Sequence, residues 1–368
     1  MTQDQVFSVN DREYMARAIQ LARRGQFTAD PNPCVGCVIV LDHDVVGEGW
    51  HRVAGEAHAE IEALGEAGDR ASGATAYVTL EPCCHTGRTG ACTEVLLAAG
   101  VAKVVFAVED PNPKVSGQGA EWLQSQGVEV AGGLLADEAT EINRGFWSRM
   151  QRQRPFVVSK IAASLDGFTA LANGESKWIS GEPARADVQC LRASSSAVLT
   201  GVGTVVADDP SLNVRRDDLG EVKQPLRVVL DTALKMSPAA KMLTLPGETL
   251  VVTVSSDKQK AAALEEAGAK VVQVEACDNG FVKLEAVLSL LAELEINTVL
   301  VEAGAELNGS FLEKGLLDEL VVYKTPHIFG AGGRPMFSMD ELTDMSQRKS
   351  MQLKDVRKVG DDLRLTYA

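Results

Sequence analysis

Short apolar runs rich in Val and Ile alternate with helical patterns along the whole chain, and this alternation limits the fold more than any other feature. In the first half, the helical pattern DREYMARAIQLARRG precedes the β-rich run VGCVIVLDHDVVGEGW. In the second half, strand patterns separated by helices occur at FVVSKIAASLDG, AVLTGVG, PLRVVLD, TLVVTV, KVVQV, TVLVEAG and ELVVYKTP. Such alternation predicts mostly parallel sheets covered by helices, and therefore an α/β fold.

The length predicts two domains, because 368 residues exceed what one ordinary hydrophobic core holds. The polar and basic stretch NRGFWSRMQRQRP, around Arg144 to Pro155, is a reasonable boundary. We therefore expect one α/β/α domain at residues 1–150 and a second at 151–368. Within the first domain, helices are expected from about Glu56 to Gly68 and at CTEVLLAAG, with strands at ATAYVTL and VAKVVFAV.

Composition and charge exclude several function classes. A hydrophobic fraction of 45% and the absence of a long apolar run favour a cytoplasmic protein without a membrane segment. The formal net charge of -15 argues against nucleic acid as the main partner, since phosphate backbones are bound by basic surfaces. A homo-oligomer is expected, with a small molecule as substrate.

Three cysteines and a histidine occur in the loop TLEPCCHTGRTGAC, and a second histidine occurs in the segment HAEIEAL. Catalytic zinc sites use three nitrogen or sulfur ligands, and His58, Cys83 and Cys92 supply them. Glu60 follows in the order H-A-E, which is typical of zinc-dependent nucleobase deaminases. His58 and Glu60 can serve one site only if it lies over the start of a helix. Each residue alone could be an ordinary core or loop residue, but the combined pattern favours a metal site.

Other cysteines allow a rival interpretation. The pair Cys34 and Cys37 has zinc-knuckle spacing, but Cys37 begins the apolar run CVIV and is better explained as strand core. Cys84 is expected to be a small loop residue, because adjacent residues project in different directions.

Eight residues separate Cys83 from Cys92, whereas general nucleobase deaminases have two. The motifs PNPCVGC, GWH, HAE and TLEPCCHTGRTGAC together resemble the bifunctional deaminase/reductase family of riboflavin biosynthesis. The resemblance extends through KIAASLDG, GESKWIS, GVGTVVADDPSLNVR and VEAGAELNGSFL to almost the whole chain. Cys84 stands where serine is usual in the family, and Gly90-Ala91 replaces a common Pro-Pro. The resemblance implies a cytidine-deaminase-like fold for the first domain and a dihydrofolate-reductase-like fold for the second.

The resemblance also implies the chemistry. The first domain would use zinc to deaminate a diaminopyrimidinone carrying a ribosylamino 5'-phosphate, with Glu60 moving the protons. The second would use NADPH to reduce the ribosyl group of the product to ribityl. Substrate contacts implied in the first domain are Asn32 and His51 at the base, and His85, Arg88 and Thr89 at the ribose and phosphate. Each could instead be an ordinary polar loop residue.

Residues of the second domain receive roles by the same resemblance. Substrate binding is implied for Lys160, Ser176, Arg192, Leu212, Arg215 and Glu302. Cofactor binding is implied for Ala162, Trp178, Thr204, Asp208, Thr232, Gly304, Ala305, Glu306, Leu307, Asn308, Gly309 and Ser310. Without the resemblance, the strand, glycine turn and helix at TVLVEAG would suggest phosphate binding only weakly, and the arginines could be solvated surface charges.

Two other function classes stay open from the residues alone. One is a tRNA-editing or free-nucleoside deaminase fused to an unrelated domain, which the acidic charge and the long inter-cysteine loop disfavour. The other is a binding or regulatory module with a structural zinc, which would normally have a fourth protein ligand.

Overall fold

The computed structural model describes residues 7–84, 90–112 and 116–368, which form two compact units, Met1–Gln153 and Arg154–Ala368. Each unit has a sheet with helices packed against both faces, so the expected α/β fold class is confirmed. Among the described residues, the helices are all too short or too polar to cross a bilayer.

The first unit is built on a sheet with the strand order β2-β1-β3-β4-β5. These strands are β1 (Gly36–Leu41), β2 (Asp44–Trp50), β3 (Thr75–Val78), β4 (Lys103–Phe106) and β5 (Glu129–Gly132). Its helices are α1 (Val9–Ala22), α2 (Ala59–Ala67), α3 (Cys92–Ala98), α4 (Gln118–Ser125), α5 (Ala136–Ile142) and α6 (Arg144–Arg152).

Alternating side chains of β1 give the first unit its two hydrophobic layers. Cys37 and Ile39 face a core closed by α2, α3 and α4, whereas Val38 and Val40 face a core closed by α1 and α5. At α1, Ser8 and Asp11 form a capping box that satisfies the first backbone N–H groups of the helix.

The prediction of a mostly parallel sheet is wrong for half of the first unit. Strands β3, β4 and β5 are parallel, but β1 pairs antiparallel with both β2 and β3. The reason is the tight connection between β1 and β2, where Asp42 and His43 adopt positive φ angles of 49° and 70°. Such a two-residue turn can only join antiparallel strands.

Glycine brings α2 close to β2. A Cβ atom at Gly49 would lie 2.3 Å from the carbonyl oxygen of Ala59, which is the first residue of α2. The start of α2 is therefore held directly against the sheet. The helix begins three residues later than the predicted Glu56, with His58 as its N-cap.

The second unit has a larger sheet with the order β11-β10-β9-β8-β12-β6-β13-β16-β15, and a separate pair β14-β7. Its strands are β6 (Phe156–Ala163), β7 (Phe168–Ala170), β8 (Ala197–Gly201), β9 (Leu226–Leu230), β10 (Thr249–Thr253), β11 (Ala269–Gln273), β12 (Thr298–Val301), β13 (Glu319–Lys324), β14 (Arg334–Pro335), β15 (Leu353–Val359) and β16 (Asp362–Tyr367). Strands from β11 to β13 in this order are parallel, and β16 and β15 form an antiparallel edge.

Helices cover both faces of this sheet. They are α7 (Glu182–Ala193), α8 (Val202–Asp208), α9 (Lys258–Glu266), α10 (Leu284–Glu293) and α11 (Ala305–Glu313). Helices α7, α8 and α9 close one core and α10 and α11 close the other. The chain runs outward from β8 to β11 and then returns to β12, between β8 and β6. This reversal is a topological switch point, where α/β proteins bind ligands at the carboxyl ends of the strands.

The stretch expected to form a boundary is a helix. Residues Arg144–Arg152 form α6 of the first unit, and the division into units falls between Gln153 and Arg154. The apolar side chain of Phe146 lies on the buried side of α6. This amphipathic arrangement explains why a basic sequence can be helical here.

Candidate active sites

The three residues predicted to bind metal meet at the ends of two helices in the first unit. His58 is the N-cap of α2, Cys92 is the first residue of α3, and Cys83 lies in the loop after β3. Their ligand atoms all lie within 4.8 Å of one another. The Nδ1 atom of His58 is 3.1 Å from Sγ of Cys92 and 3.7 Å from Sγ of Cys83.

Backbone contacts hold the loop of Cys83 against α3. The N–H of Thr93 donates to the carbonyl oxygen of Cys83 at 3.2 Å, and the N–H of Cys92 points at Sγ of Cys83 at 3.4 Å. Sequence reasoning placed these residues in one site, and the structure brings them together in space.

The sulfur atoms are electrostatically prepared to bind a cation. The Cys92 thiol donates a hydrogen bond to Cys83, and this bond lowers the pKa of Cys83 to about 4. Burial opposes this shift, and His58 adds to it. The same hydrogen bond and burial raise the pKa of Cys92. One nitrogen and two sulfur donors fit the ligand preference of zinc. Binding a metal here would release the remaining thiol proton.

Glu60 lies in the first turn of α2 with only 3% of its surface exposed. Burial, and then the negative charge of Cys83, raise the pKa of the Glu60 carboxyl group above its ordinary value. Its carboxylate also contacts Cys92. A carboxylate with a raised pKa next to a metal-ligand cluster can take up a proton and release it again.

Asn32 and His51 lie beside this cluster. The Nδ2 atom of Asn32 is 3.0 Å from Nε2 of His51, whose Nδ1 atom is 3.0 Å from the carbonyl oxygen of Ala57. The rings of His51 and His58 meet edge to face, with centroids 5.3 Å apart. Burial lowers the pKa of His51, so its imidazole is neutral near pH 7. The other three implied contacts, His85, Arg88 and Thr89, lie outside the described residues.

The remaining cysteines near the cluster stay apart from it. Cys37 is buried in β1, as the strand interpretation predicts. The backbone of Cys34 is bound by Asn143, whose side chain accepts from its N–H at 2.7 Å and donates to its carbonyl oxygen at 2.9 Å. Within residues 7–84, 90–112 and 116–368, the group that could hold a metal consists of His58, Cys83 and Cys92, without Cys84.

A second cluster of charges forms at the switch point of the second unit. Val301 pairs with Ser159, which places Glu302 beside Lys160 of β6. The Nζ atom of Lys160 is 3.6 Å from Oε2 of Glu302. Arg192, in the last turn of α7, donates to both carboxylate oxygens, at 2.5 and 3.0 Å.

Glu302 is ionised because of its neighbours. Burial would raise the pKa of its carboxyl group, but the charges of Arg192 and Lys160 lower it to about 2. Arg192 is only 8% exposed, so the surface-charge interpretation is wrong for this residue.

Asn213, which sequence reasoning did not assign, joins the two arginines. Its carbonyl oxygen accepts from Nη1 of Arg192 at 3.1 Å, and its Oδ1 accepts from Nη1 of Arg215 at 2.8 Å. Burial, and then the charge of Arg192, lower the pKa of Arg215. The contact depends on the fold of the loop after α8, and the sequence offers no signal for it.

Most residues implied to bind the dinucleotide follow the carboxyl ends of parallel strands. Ala162 lies near the end of β6, Thr232 follows β9, and Thr204 and Asp208 lie on α8 after β8. Residues Gly304 to Ser310 form the cap and first turns of α11, after β12. Asn308 is buried and fixed by Ser159 and the carbonyl oxygen of Ala303.

Three further residues differ in their surroundings. Trp178 is 71% exposed, with the guanidinium of Arg185 4.7 Å from its ring centroid. Ser176 is half-buried in the same loop. Leu212 is buried in the hydrophobic core and has a φ angle of 49°.

Comparisons with known proteins cover both units. The family model described as the RibD C-terminal domain matches residues 155–365, and the cytidine and deoxycytidylate deaminase zinc-binding region matches residues 8–108. The riboflavin biosynthesis protein RibD of Escherichia coli is 44% identical over 96% of this chain and 98% of its own length. The chain belongs to the RibD family.

Solved RibD structures agree with this assignment. A structure of Acinetobacter baumannii RibD is 43% identical, with a TM-score of 0.90 over 97% of this chain and 98% of its own. A Thermotoga maritima diaminohydroxyphosphoribosylaminopyrimidine deaminase/5-amino-6-(5-phosphoribosylamino)uracil reductase is 32% identical, with a TM-score of 0.85 over 97% and 98%. As a RibD protein, the chain is a bifunctional deaminase and reductase of riboflavin biosynthesis, with zinc and NADPH as cofactors. The predictions of family, fold class, function and cofactors are confirmed.

Proposed function

We propose that the chain deaminates 2,5-diamino-6-(5-phosphoribosylamino)pyrimidin-4(3H)-one and then reduces the ribosyl group of the product, 5-amino-6-(5-phosphoribosylamino)uracil, to ribityl. The name of the Thermotoga maritima deaminase/reductase, which specifies both reactions, supports this substrate pair. The observation that carries the proposal is the cluster of His58, Cys83 and Cys92 with a buried Glu60 beside it. We assign deamination to the first unit, Met1–Gln153, and reduction to the second, Arg154–Ala368.

In the deaminase unit, His58, Cys83 and Cys92 hold the zinc. When bound, zinc supplies the Lewis acidity that activates water at neutral pH. Within the described residues the group has three protein side chains, the number that catalytic zinc sites use.

Glu60 moves the protons of the deamination. It accepts a proton from the attacking water and returns one to the leaving amine. A C–O bond forms at the ring carbon that carries the exocyclic amino group, the C–N bond breaks, and ammonia leaves. The raised pKa of Glu60 suits a group that must hold a proton between these two steps.

Asn32 and the neutral His51 border the pyrimidine, because their hydrogen-bonded pair lies beside the metal ligands. We retain His85, Arg88 and Thr89 as contacts of the ribose and phosphate on the basis of the sequence motif alone.

In the reductase unit, the substrate lies over Lys160 and Glu302 at the switch point. NADPH supplies the hydride, and the Nζ atom of Lys160 can hold a proton near the ribosyl ring oxygen.

Arg192 uses Nε, Nη1 and Nη2 within the protein, so it orients Glu302, and Arg215 is the better partner for the phosphate. We retain Ser176 and Leu212 as substrate contacts on the basis of the sequence motifs alone. Residues Ala162, Trp178, Thr204, Asp208, Thr232 and Gly304 to Ser310 hold the dinucleotide.

For partners and location, a small-molecule substrate follows from family membership. A homo-oligomer, a cytoplasmic location and the lack of a nucleic-acid partner stay predictions.

Ammonia release and NADPH oxidation, measured on the diaminopyrimidine phosphate with the purified protein, test the proposal. We expect both reactions, with ammonia released before NADPH is consumed. Release of ammonia from cytidine or adenosine, with no reaction of the diaminopyrimidine phosphate, would contradict the proposed substrate.

A further inference from the structure

Glu81 lies two residues before Cys83 and is buried, with 3% of its surface exposed. Its carboxylate oxygens accept four backbone hydrogen bonds from a distant part of the first unit. The donors are the N–H groups of Gly117 at 2.9 Å, Gly119 at 2.9 Å, Ala120 at 3.1 Å and Asp110 at 3.3 Å.

These donors belong largely to the start of α4, which needs such a partner. The first N–H groups of a helix have no acceptor within it, and a polar side chain at the N-cap normally supplies one. The N-cap of α4 is Gly117, which has no side chain. Glu81 therefore caps α4 from another segment of the chain, and its negative charge matches the positive end of the helix.

Close packing adds a second link between α4 and the same segment. A Cβ atom at Gly119 would lie 2.1 Å from the carbonyl oxygen of Pro82. Only glycine allows the first turn of α4 to rest on the peptide that joins Pro82 to Cys83. The residues immediately before Cys83 are thus fixed on one side by α4.

Helix α3 fixes the other side. The carbonyl oxygen of Cys83 accepts from Thr93, and the N–H of Cys92 donates to Sγ of Cys83. The backbone at Cys83 is held between the two helices, and a change at either one should move the sulfur atom.

We propose that Glu81 is a positioning residue for the metal ligand Cys83. By capping α4, it fixes the Pro82–Cys83 backbone and sets where the sulfur stands relative to His58 and Cys92. The proposal rests on the proposed function, in which Cys83 binds zinc. Neighbours that orient a ligand typically change metal affinity by about 10- to 100-fold when they are removed.

The test compares zinc release in full-length variants, measured as transfer to a chromophoric chelator. Glu81→Gln keeps the size of the side chain but turns an amide NH₂ toward backbone N–H groups. We expect zinc to leave this variant about 10-fold faster than the wild type or more, while NADPH oxidation with the deaminated substrate is unchanged. Release at the wild-type rate would overturn the proposal.

A control variant separates positioning from a general loss of stability. Asp11→Asn removes a carboxylate that caps α1 and accepts from Tyr77 in the same unit, and we expect it to lower the melting temperature without changing zinc release. Faster release in Asp11→Asn as well would mean that any loosening of the unit frees the metal, and the proposal would fail.

Gly119→Ala provides a second route if Glu81→Gln does not fold. The added methyl group must displace α4 from Pro82, so zinc should again leave faster. Gly65→Ala is its matched control, because a Cβ atom there meets nothing within 4 Å. Equal release rates in the two alanine variants would overturn the proposal.

Cys83→Ser, measured in the same assay, separates the assignment of Cys83 as a zinc ligand from the positioning role of Glu81. Retention of zinc in Cys83→Ser would refute the ligand assignment itself. Loss of zinc there, together with wild-type release from Glu81→Gln, would refute only the role of Glu81.

Discussion

Glu60 and His58 lie two positions apart at the start of α2 and are suited to different tasks. His58 presents Nδ1 to the two sulfur atoms, whereas Glu60 is buried beside them with a raised pKa. A group that moves protons can be replaced by a neutral one without loss of the metal. Removal of a ligand, in contrast, weakens metal binding.

Glu60→Gln should therefore keep zinc bound while ammonia release falls about 10²- to 10⁴-fold, the range for loss of a general acid or base. NADPH-dependent reduction of the deaminated substrate should be unchanged. Metal analysis and an ammonia assay check this result. Ammonia release within a factor of a few of the wild type would show that another group moves the protons.

The adjacent cysteines allow a direct test of the ligand set. Cys84→Ser should retain one zinc per chain, and Cys83→Ser should lose most of it, because only Cys83 lies with His58 and Cys92. Metal content after gel filtration is the measurement. Loss of zinc from Cys84→Ser, with retention in Cys83→Ser, would reverse the assignment.

Glu302 makes the second unit sensitive to acid. Its pKa is about 2 in the folded protein, against 4.5 for an ordinary glutamate. A group whose pKa is lowered by folding stabilises the folded state fully when the pH is above the ordinary pKa of that group. This stabilisation is lost as the pH falls toward the folded-state pKa.

The difference in unfolding free energy between wild type and Glu302→Gln should thus be constant above about pH 5 and should shrink as the pH falls toward 2. Denaturant unfolding of both proteins over this range measures the difference. A difference that stays the same down to pH 2 would mean that the carboxylate is not held ionised by Arg192 and Lys160.

The sequence predicted residues that form chemical patterns and missed those that act through the backbone. His58, Cys83 and Cys92 could be chosen because zinc accepts few side-chain types. Glu81 accepts from the distant start of α4, and the backbone carbonyl of Asn213 accepts from Arg192, 21 residues earlier in the chain. Such partners are determined by the fold, and spacing along one sequence does not reveal them.

At the scale of elements, strands with Val- and Ile-rich runs were predicted well, whereas a charged hairpin at one sheet edge was not. Strands β6 and β8 to β13 all occur where Val- and Ile-rich runs predict them. The hairpin β15–β16 was missed because β15, LKDVRKV, is mostly exposed and carries charges. Its strand state depends on pairing at the sheet edge, which the sequence pattern does not show. Strand β5, EVAG, was missed because it contains one β-branched residue, Val130, and no longer apolar run.

The contact of α2 with β2 should be sensitive to a single methyl group. In Gly49→Ala, the Cβ atom would overlap the carbonyl oxygen of Ala59, so α2 must shift together with His58 and Glu60. We expect a loss of about 1–3 kcal/mol in the stability of the first unit and a lower zinc content. Thermal unfolding and metal analysis test this, with Gly65→Ala as control. Wild-type zinc content and melting temperature in Gly49→Ala would contradict the close packing.

At the scale of the whole molecule, two separate cores imply two separable reactions. Lys160→Ala should abolish NADPH-dependent reduction while ammonia release continues, so that the deaminated ribosylaminouracil phosphate accumulates. Glu60→Gln should show the converse and reduce this intermediate when it is supplied. Chromatography of the reaction mixtures identifies which compound accumulates.

Loss of ammonia release in a folded, zinc-loaded Lys160→Ala variant would contradict the division. The two chemistries would then share one site, and the assignment of each reaction to its own unit would be wrong.

The cationic groups around Glu302 also determine how far the reductase site can attract an anion. Lys160, Arg192 and Arg215 contribute three positive charges and Glu302 one negative charge, while the whole chain carries a formal charge of -15. Electrostatic forces in physiological salt are screened over about 8 Å. The phosphate group of a substrate is therefore attracted to these cationic side chains only when it is close to them. At larger distances the electric field of the protein does not guide it to the site. The association rate of the substrate should therefore be low for an anion that binds a cationic site. Discrimination between anions should come from the fit of the substrate at the site.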